Sequence, residues 1–296
     1  MNRPGAELLY QILLYAGKVC PIWPQVAAAG AARYVGTNMS RQAAGTEDNM
    51  KLAFVIPAYN EEALIGKCLE SVLAEIKRSG ANADVIVVNN ASTDRTGEIA
   101  RSFEGVRVVD EPKKGLVNAR DAGFAASEGY DLVANIDSDT IVPQGWLDTV
   151  FREFERDEKL VCLSGPYIYY DMAPHNRALI AMFYGLTYLI YLINRFVLRV
   201  GSVVQGGNFV FKRAAWASVG GYDRSIEFFG EDTDVAVRLS KVGGVKWTFA
   251  LKMLTSGRRL EKEGVFRTAG TYTLNFFWVT FRGKPKTKSY TDIRPH

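Results

Sequence analysis

The chain has 296 residues, 48% hydrophobic and 23% charged, with 27 glycines and 10 prolines, a composition that excludes collagen-like, coiled-coil and wholly disordered readings. Three cysteines without a Cys-x-x-Cys pair and only two histidines, His175 and His296, argue against a disulfide scaffold, a thiolate zinc site and a histidine-rich metal centre, and they suit a reducing compartment. The net charge of +4 is too small to make nucleic acid a partner.

Residues 1–49 are rich in Ala and Gly and read as an N-terminal extension outside the native fold. Their one apolar run, Leu8 to Tyr15, is shorter than the roughly 20 residues needed to span a bilayer, and its flanks do not suit a signal peptide. Order is expected to begin at Met50, a candidate translation start. Lys51 to Pro57 reads as a buried strand ended by proline. Asn60-Glu61-Glu62 then reads as an N-cap with acids in the first turn, followed by Leu64, Ile65, Cys68, Leu69, Val72, Leu73 and Ile76 at helical spacing. The pattern repeats: strand Val85 to Val88 with a helix from about Thr93 to Phe103, then strand Val106 to Val109 with a helix from about Val117 to Ser127. A further strand, Asp131 to Ile136, runs into Asp137-Ser138-Asp139. Alternating strands and helices predict right-handed βαβ units, a mainly parallel twisted sheet and a ligand site at the carboxyl ends of the strands.

Polar clusters sit at those ends. Asp137 and Asp139 can hold a hard divalent cation through oxygen, and such a cation can clamp a diphosphate; acidic turns also arise for turn chemistry alone. Glu231-Asp232-Thr233-Asp234 places three acids at a helix start, where the macrodipole favours them, and a Glu-Asp pair can also supply a general base for an attacking hydroxyl. Gly206-Gly207-Asn208 and Gly220-Gly221 permit either close approach to a ligand or tight turns.

Taken in order and spacing, Ile56-Pro57-Ala58-Tyr59-Asn60-Glu61-Glu62, Val87-Val88-Asn89-Asn90-Ala91-Ser92-Thr93-Asp94, Gly115 to Gly123 with Asn118-Ala119-Arg120, Asp137-Ser138-Asp139, Gly220-Gly221-Tyr222-Asp223 and Gly230-Glu231-Asp232-Thr233-Asp234 with Arg238 resemble glycosyltransferase family 2 over about residues 50 to 255. The resemblance implies an α/β GT-A fold, a Rossmann-like three-layer α/β/α arrangement over residues 50–255. It also implies a nucleotide-diphosphate sugar donor, a divalent metal (Mn or Mg) and an inverting single displacement. Carried over residue by residue, Pro57, Ala58, Tyr59 and Glu61 line the nucleotide pocket with Asn89 near the base. Asp137 and Asp139 are the DxD pair, one toward the ribose and donor sugar and the other toward the metal. Asp232 is the base, oriented by Glu231, and Gly206, Gly207 and Asn208 lie on the acceptor side. Three departures stand out: Asn89 replaces the usual Asp, Thr255-Ser256-Gly257-Arg258-Arg259 stands where relatives carry a late metal ligand, and no Gln-x-x-Arg-Trp follows the Glu-Asp pair. Arg258 is expected on the diphosphate oxygens, and the third departure favours single transfers over polymer synthesis.

Between the two acidic clusters, Ala178 to Ile193 is uncharged. On a helix near 176–199, Tyr184, Thr187, Tyr188, Tyr191, Asn194 and Arg195 share one face, and Leu179, Met182, Phe183, Leu186, Ile190, Ile193 and Val197 the other. Such a helix suits a membrane interface, an oligomer contact or a buried core. The 256–296 segment carries Phe276-Phe277-Trp278-Val279-Thr280-Phe281, and from Arg282 onward Arg282, Lys284, Lys286, Lys288 and Arg294 face Asp292 alone; this suits an anionic membrane or a solvated terminus. The resulting expectation is a peripheral enzyme on the inner face of the cytoplasmic membrane with a lipid-linked or saccharide acceptor. A sugar-nucleotidyltransferase is disfavoured because no Gly-rich basic loop follows the first strand; a non-catalytic sugar-nucleotide binding or scaffold protein and a transferase acting on a soluble sugar or protein acceptor are the alternatives.

Overall fold

A computed structural model describes residues 50–198, 203–226, 230–282 and 286–287; the expected extension at residues 1–49 and the tail beyond Thr287 lie outside them. Strand β1 (Leu52–Ala58) is buried at all seven positions, as an apolar run must be when both faces of a sheet are covered. It pairs in parallel with β2 (Ala83–Asn90) and β4 (Leu132–Ile136), and β2 pairs in parallel with β3 (Val106–Glu111). The remaining strands of the seven-stranded sheet are β6 (Leu160–Ser164), β8 (Asn208–Lys212) and β9 (Gly244–Trp247), and the order is β3-β2-β1-β4-β8-β6-β9. Only β8 runs against its neighbours. A small second sheet joins β5 (Thr140–Ile141), β10 (Met253–Thr255) and β7 (Tyr167–Tyr169).

The period-2 alternation of the strands separates two cores. Leu52, Phe54, Ile56, Val85 and Val87 face one side with α1 (Ile65–Ser79) and α4 (Trp146–Arg156). Ala53, Val55, Ile86 and Val88 face the other with α3 (Leu116–Ala126), α6 (Arg213–Ser218) and α7 (Glu231–Leu239). This is the expected three-layer α/β/α arrangement. Helix α1 buries Ile65, Cys68, Leu69 and Val72, places Lys77 and Arg78 in its last turn, and stops at Gly80 with φ 64°, where a residue without Cβ is least strained.

Two expectations about helix starts need correction. Asn60 does not cap α1, which begins five residues later. Its φ is 49°, and its Oδ1 instead accepts a bond from the Thr93 backbone N–H at 2.8 Å. Helix α2 (Thr96–Arg101) is shorter than the expected Thr93 to Phe103, because residues 92–96 are committed elsewhere: the Ser92, Thr96 and Asp94 side chains accept the backbone N–H groups of Asn60, Glu61 and Glu62. The loops after β1 and β2 are thus stitched into one platform.

The apolar helix appears as α5 (Pro174–Leu192), continued by a π-helical turn, Ile193–Leu198. It is not a core helix: only 17% of its most apolar window is buried, although its length and composition would let it cross a membrane. Met182 is 65% exposed and Val197 71%, with Leu186, Leu189 and Ile193 exposed between them. The aromatic face turns inward, where Tyr184 stacks on Trp247 and Tyr188 contacts Trp247 and Phe249. Nor does the fold end at residue 255. After α8 (Arg258–Glu263), helix α9 (Val265–Arg282) packs on α7, so the expected separate C-terminal segment is, through Arg282, a part of the same body.

Gly123 lets α3 lie close on β1, since a Cβ there would meet Val55 and Val88. Gly123→Ala is expected to cost about 1–3 kcal/mol through overpacking, read as a lower urea midpoint with unchanged slope.

Candidate active site

Strand register assembles the site. Ile136 faces Asn208 across the antiparallel β4–β8 pair, so Asp137, just past one strand, neighbours Gly207, just before the other. Thr140 faces Thr255 in the small sheet, which brings Asp139 beside the chain leading to Arg258. These two adjacencies bring the acidic pair at β4 together with residues more than 60 positions away in sequence.

Behind the pair lies Arg120 of α3, 1% exposed. Its Nη1 donates to Glu231 Oε2, and its Nη2 to Asp137 Oδ1 at 3.4 Å and to the Gly206 carbonyl at 3.3 Å. Glu231 holds the start of α7 in this contact, and burial pushes its carboxyl up to about 7 against the pull of Arg120. Asp137 also accepts a hydrogen bond from the Tyr167 hydroxyl at 2.9 Å, and burial raises that phenol well above its usual range. Gly207, at φ 114°, passes so near this pair that a Cβ would strike Asp137 and Tyr167, and a Cβ at Gly206 would touch Asp232. Gly207 is therefore required by the protein's own Asp137 and Tyr167 side chains, whereas a Cβ at Gly206 would make only an ordinary contact with Asp232. The expected place of Asn208 on the acceptor is corrected: it is fully buried, accepts from Trp146 Nε1 and donates to the Gly165 and Leu251 carbonyls.

Asp232 is partly buried and accepts the Thr233 backbone N–H at 2.8 Å. Enclosure raises its pKa, with the Thr233 N–H opposing. Burial, with Asp137 beside it, pushes Asp139 up to about 7. Its Oδ2 accepts from Arg258 Nη2 at 3.1 Å, and the same nitrogen donates to Glu61 Oε1. Pro57 and Ala58 are buried strand residues. Tyr59 lies under Lys114, whose Nζ is 3.9 Å from the ring centroid. Asn89 donates to Asp110 Oδ1 at 2.8 Å, and its own Oδ1 is buried without a hydrogen-bond partner. Asn90 instead holds the loop after β3, donating to the Glu111 and Lys113 carbonyls and accepting the Gly115 N–H.

Asp137, Asp139 and Asp232 line one cavity of about 350 Å³. Its other walls come largely from the inner side of α5 (Ile180, Phe183, Ile190) and from α8 and α9 (Leu260, Val265, Phe276). Among the described residues no cluster of three or more acids, histidines or cysteines is arranged to hold a metal. Two hard carboxylates nevertheless fit a magnesium- or manganese-type ion, which takes one or two carboxylates and completes its shell with water and substrate phosphate. The enclosed Asp139 requires a neighbouring positive charge in any case.

From sequence, Arg120, Tyr167 and Tyr184 carry no individual role. For Arg120 a signal existed: a lone charge between Val117, Ala119 and Gly123 on the buried face of α3. Tyr167 and Tyr184 become visible only through tertiary contacts, the latter donating to Gln205 and accepting the Tyr167 N–H.

The family described as "Glycosyl transferase family 2" matches residues 53–220, more than half of the chain. The chain belongs to glycosyl transferase family 2. Among its relatives in the family, GlyG, a glycosyltransferase of Streptococcus pneumoniae, is 30% identical over 130 residues, covering 42% of each chain. Chondroitin synthase of Pasteurella multocida is 27% identical over 199 residues, 66% of this chain and 19% of the synthase. The chain spans less than half the length of these relatives. Mannosyltransferase PcManGT of Pyrobaculum calidifontis, solved with GDP-Man and Mn2+, superposes with a TM-score of 0.61 at 14% identity over 92% of this chain and 75% of that one. Glucosyl-3-phosphoglycerate synthase of Mycobacterium tuberculosis, solved with Mn2+ and UDP-Glc, gives 0.53 at 21% identity over 80% and 81%. At these identities the likeness is one of fold, and the GT-A architecture expected for family 2 is the fold of this chain.

Arg120→Leu leaves the buried Glu231 carboxylate and the half-buried Asp137 carboxylate without their cation. It is expected to destabilise the protein by about 3–5 kcal/mol, measured as the shift in urea unfolding.

Proposed function

We propose that this chain is a family 2 glycosyltransferase that moves one sugar from a nucleotide-diphosphate sugar to an acceptor hydroxyl with inversion, and that the acceptor is lipid-linked at a membrane surface. The observation that carries the reading is the shared cavity in which Asp232 and the Asp137/Asp139 pair meet apolar helix walls.

The chemistry follows from these positions. Asp232 takes the proton of the acceptor hydroxyl as its oxygen attacks the anomeric carbon opposite the leaving group. The bond from that carbon to the diphosphate oxygen breaks, and the nucleoside diphosphate departs. A divalent metal held by Asp139 with Asp137 would supply positive charge to the departing diphosphate. Arg120 keeps Asp137 and Glu231 in place, and Glu231 in turn fixes the helix start that carries Asp232. A base with a raised pKa is better matched to proton removal near neutral pH than an ordinary aspartate. Asn89 offers a buried amide oxygen to a base N–H, which suits either uridine or guanosine, the nucleosides of the donors bound by the two solved relatives.

Support for the membrane comes from α5. Its aromatic and polar face is bound to the body, with Arg195 donating to the Val245 carbonyl at 2.6 Å, and its aliphatic face looks outward. In this reading the helix, held to the body along its polar side, lies along the interface rather than across the bilayer. Basic residues from Arg282 onward suit anionic headgroups on the cytoplasmic face. The apolar cavity behind α5 then accommodates the chain of a lipid acceptor.

Asp232→Asn is expected to reduce kcat by at least about a hundredfold while leaving donor affinity within about threefold, measured by initial rates and calorimetry. In the parent enzyme, kcat/KM should rise with pH through an apparent pKa above the value of about 3.9 for a free aspartate, since the base must lose its proton. Unchanged kcat in the variant contradicts catalysis and favours a sugar-nucleotide binder.

Replacing Met182, Leu186 and Leu189 by Ser should weaken binding to phosphatidylserine-containing vesicles by about tenfold or more, given about 1.5–3 kcal/mol for each large apolar side chain buried. Flotation measures it. A parent protein that does not bind such vesicles at low salt contradicts the membrane reading and makes a soluble acceptor the first choice.

A further inference from the structure

Arg258 occupies a position that its expected place on the diphosphate does not explain. One of its nitrogens, Nη2, contacts both Glu61 Oε1 and Asp139 Oδ2, so the guanidinium neutralises the carboxylate assigned above to the divalent ion. Guanidinium cannot shed its proton at any working pH. A dication on Asp139 and the guanidinium at its present position would repel one another within a contact distance, so the two compete for the Asp139 carboxylate, whose Oδ2 the guanidinium already holds.

The surroundings let the side chain move while fixing where it starts. Asp171 accepts the Ser256 hydroxyl and the Gly257 N–H, each at 2.6 Å, and Met172 packs so tightly on Gly257 that no Cβ would fit there. The backbone entering α8 is therefore pinned to residues just past β7. The Arg258 side chain is 28% exposed, and among the described residues its Nε and Nη1 make no hydrogen bond. That leaves one edge of the guanidinium fork open to an oxyanion, and phosphate geometry matches it in a bidentate way.

We infer that Arg258 is an internal counter-cation that yields Asp139 to the divalent ion and is taken up by the diphosphate of the donor, so that metal and nucleoside diphosphate bind as a coupled pair. The inference rests on the nucleotide-sugar reading above. In this scheme the metal alone binds poorly because it must displace a resident cation that has nowhere to go. The diphosphate supplies that destination, and by linkage each ligand strengthens the other by the same factor.

Titration of Mn2+ into the full chain, followed by electron paramagnetic resonance of the free ion with and without UDP or GDP, tests this without any turnover. The parent protein should bind Mn2+ weakly alone and at least about tenfold more tightly with the nucleotide. Arg258→Gln should bind Mn2+ alone about tenfold more tightly than the parent, while most of the nucleotide-dependent gain disappears. Arg258→Lys keeps the charge and loses the fork, so Mn2+ alone should stay weak; circular dichroism confirms that both variants are folded. Arg258→Gln binding Mn2+ alone no more tightly than the parent overturns the inference. If the parent binds neither UDP nor GDP in the presence of Mn2+, the donor reading fails instead, and the Mn2+-only comparison still decides whether Arg258 competes for Asp139.

Discussion

Everything at the carboxyl edge of the sheet depends on one buried cation. Arg120 touches Glu231, Asp137 and the Gly206 carbonyl, and so ties α3, α7, β4 and the approach to β8 to a single point. Burying a guanidinium costs several kcal/mol unless its partners are close and well directed. The network is not fully satisfied, since Arg120 Nε and Glu231 Oε1 are buried without hydrogen-bond partners. Such a centre is poor stabilising material and good positioning material, because any displacement of one partner leaves another charge exposed to an apolar medium.

In front of that fixed cation lies an excess of acid. Glu61, Asp137, Asp139, Glu231 and Asp232 converge on a region whose arginines, Arg120, Arg258 and Arg259, are all already in ion pairs. Burial raises the pKa values of both Asp139 and Asp232, and for Asp139 the neighbouring Asp137 adds to it. A site built this way attracts positive charge, and a diphosphate can enter it only in the company of cations. The hydrogen bonds that stitch the loops after β1 and β2 fix the backbone that carries Glu61, one of the two carboxylates Arg258 contacts.

The strands and the βαβ order were legible because each strand is a short apolar run bounded by turn residues. Asp137, Asp139 and the Gly-Gly pairs stood out by composition at strand ends, and Glu231 and Asp232 stood out at the head of a helix. What the sequence hid was direction. Asn60 has the chemistry of a cap, yet a neighbouring loop offered its oxygen a better partner. Gly207 does mark a close approach, but the approaching groups are the protein's own Asp137 and Tyr167. Asn208 has the chemistry of a ligand contact and instead satisfies Trp146 and two carbonyls in the core. The helix at 174–198 was visible and its exposed residues Met182, Leu186, Ile193 and Val197 were assigned to one face, but Phe183 and Ile190, assigned with them, line the cavity instead; which face turned outward required Trp247 and Phe249 to be in place beneath it.

Helix α9 forms a wall of the cavity yet is made after every carboxylate named in the site. A ribosome therefore exposes a chain in which Asp137, Asp139 and Asp232 have all been synthesised while the chamber still lacks a side. Until α9 docks, the three carboxylates stand in a cleft open to water. The helix that follows them in sequence therefore converts an open acidic edge into an enclosed chamber, and the raised pKa values that enclosure brings belong to the docked state alone.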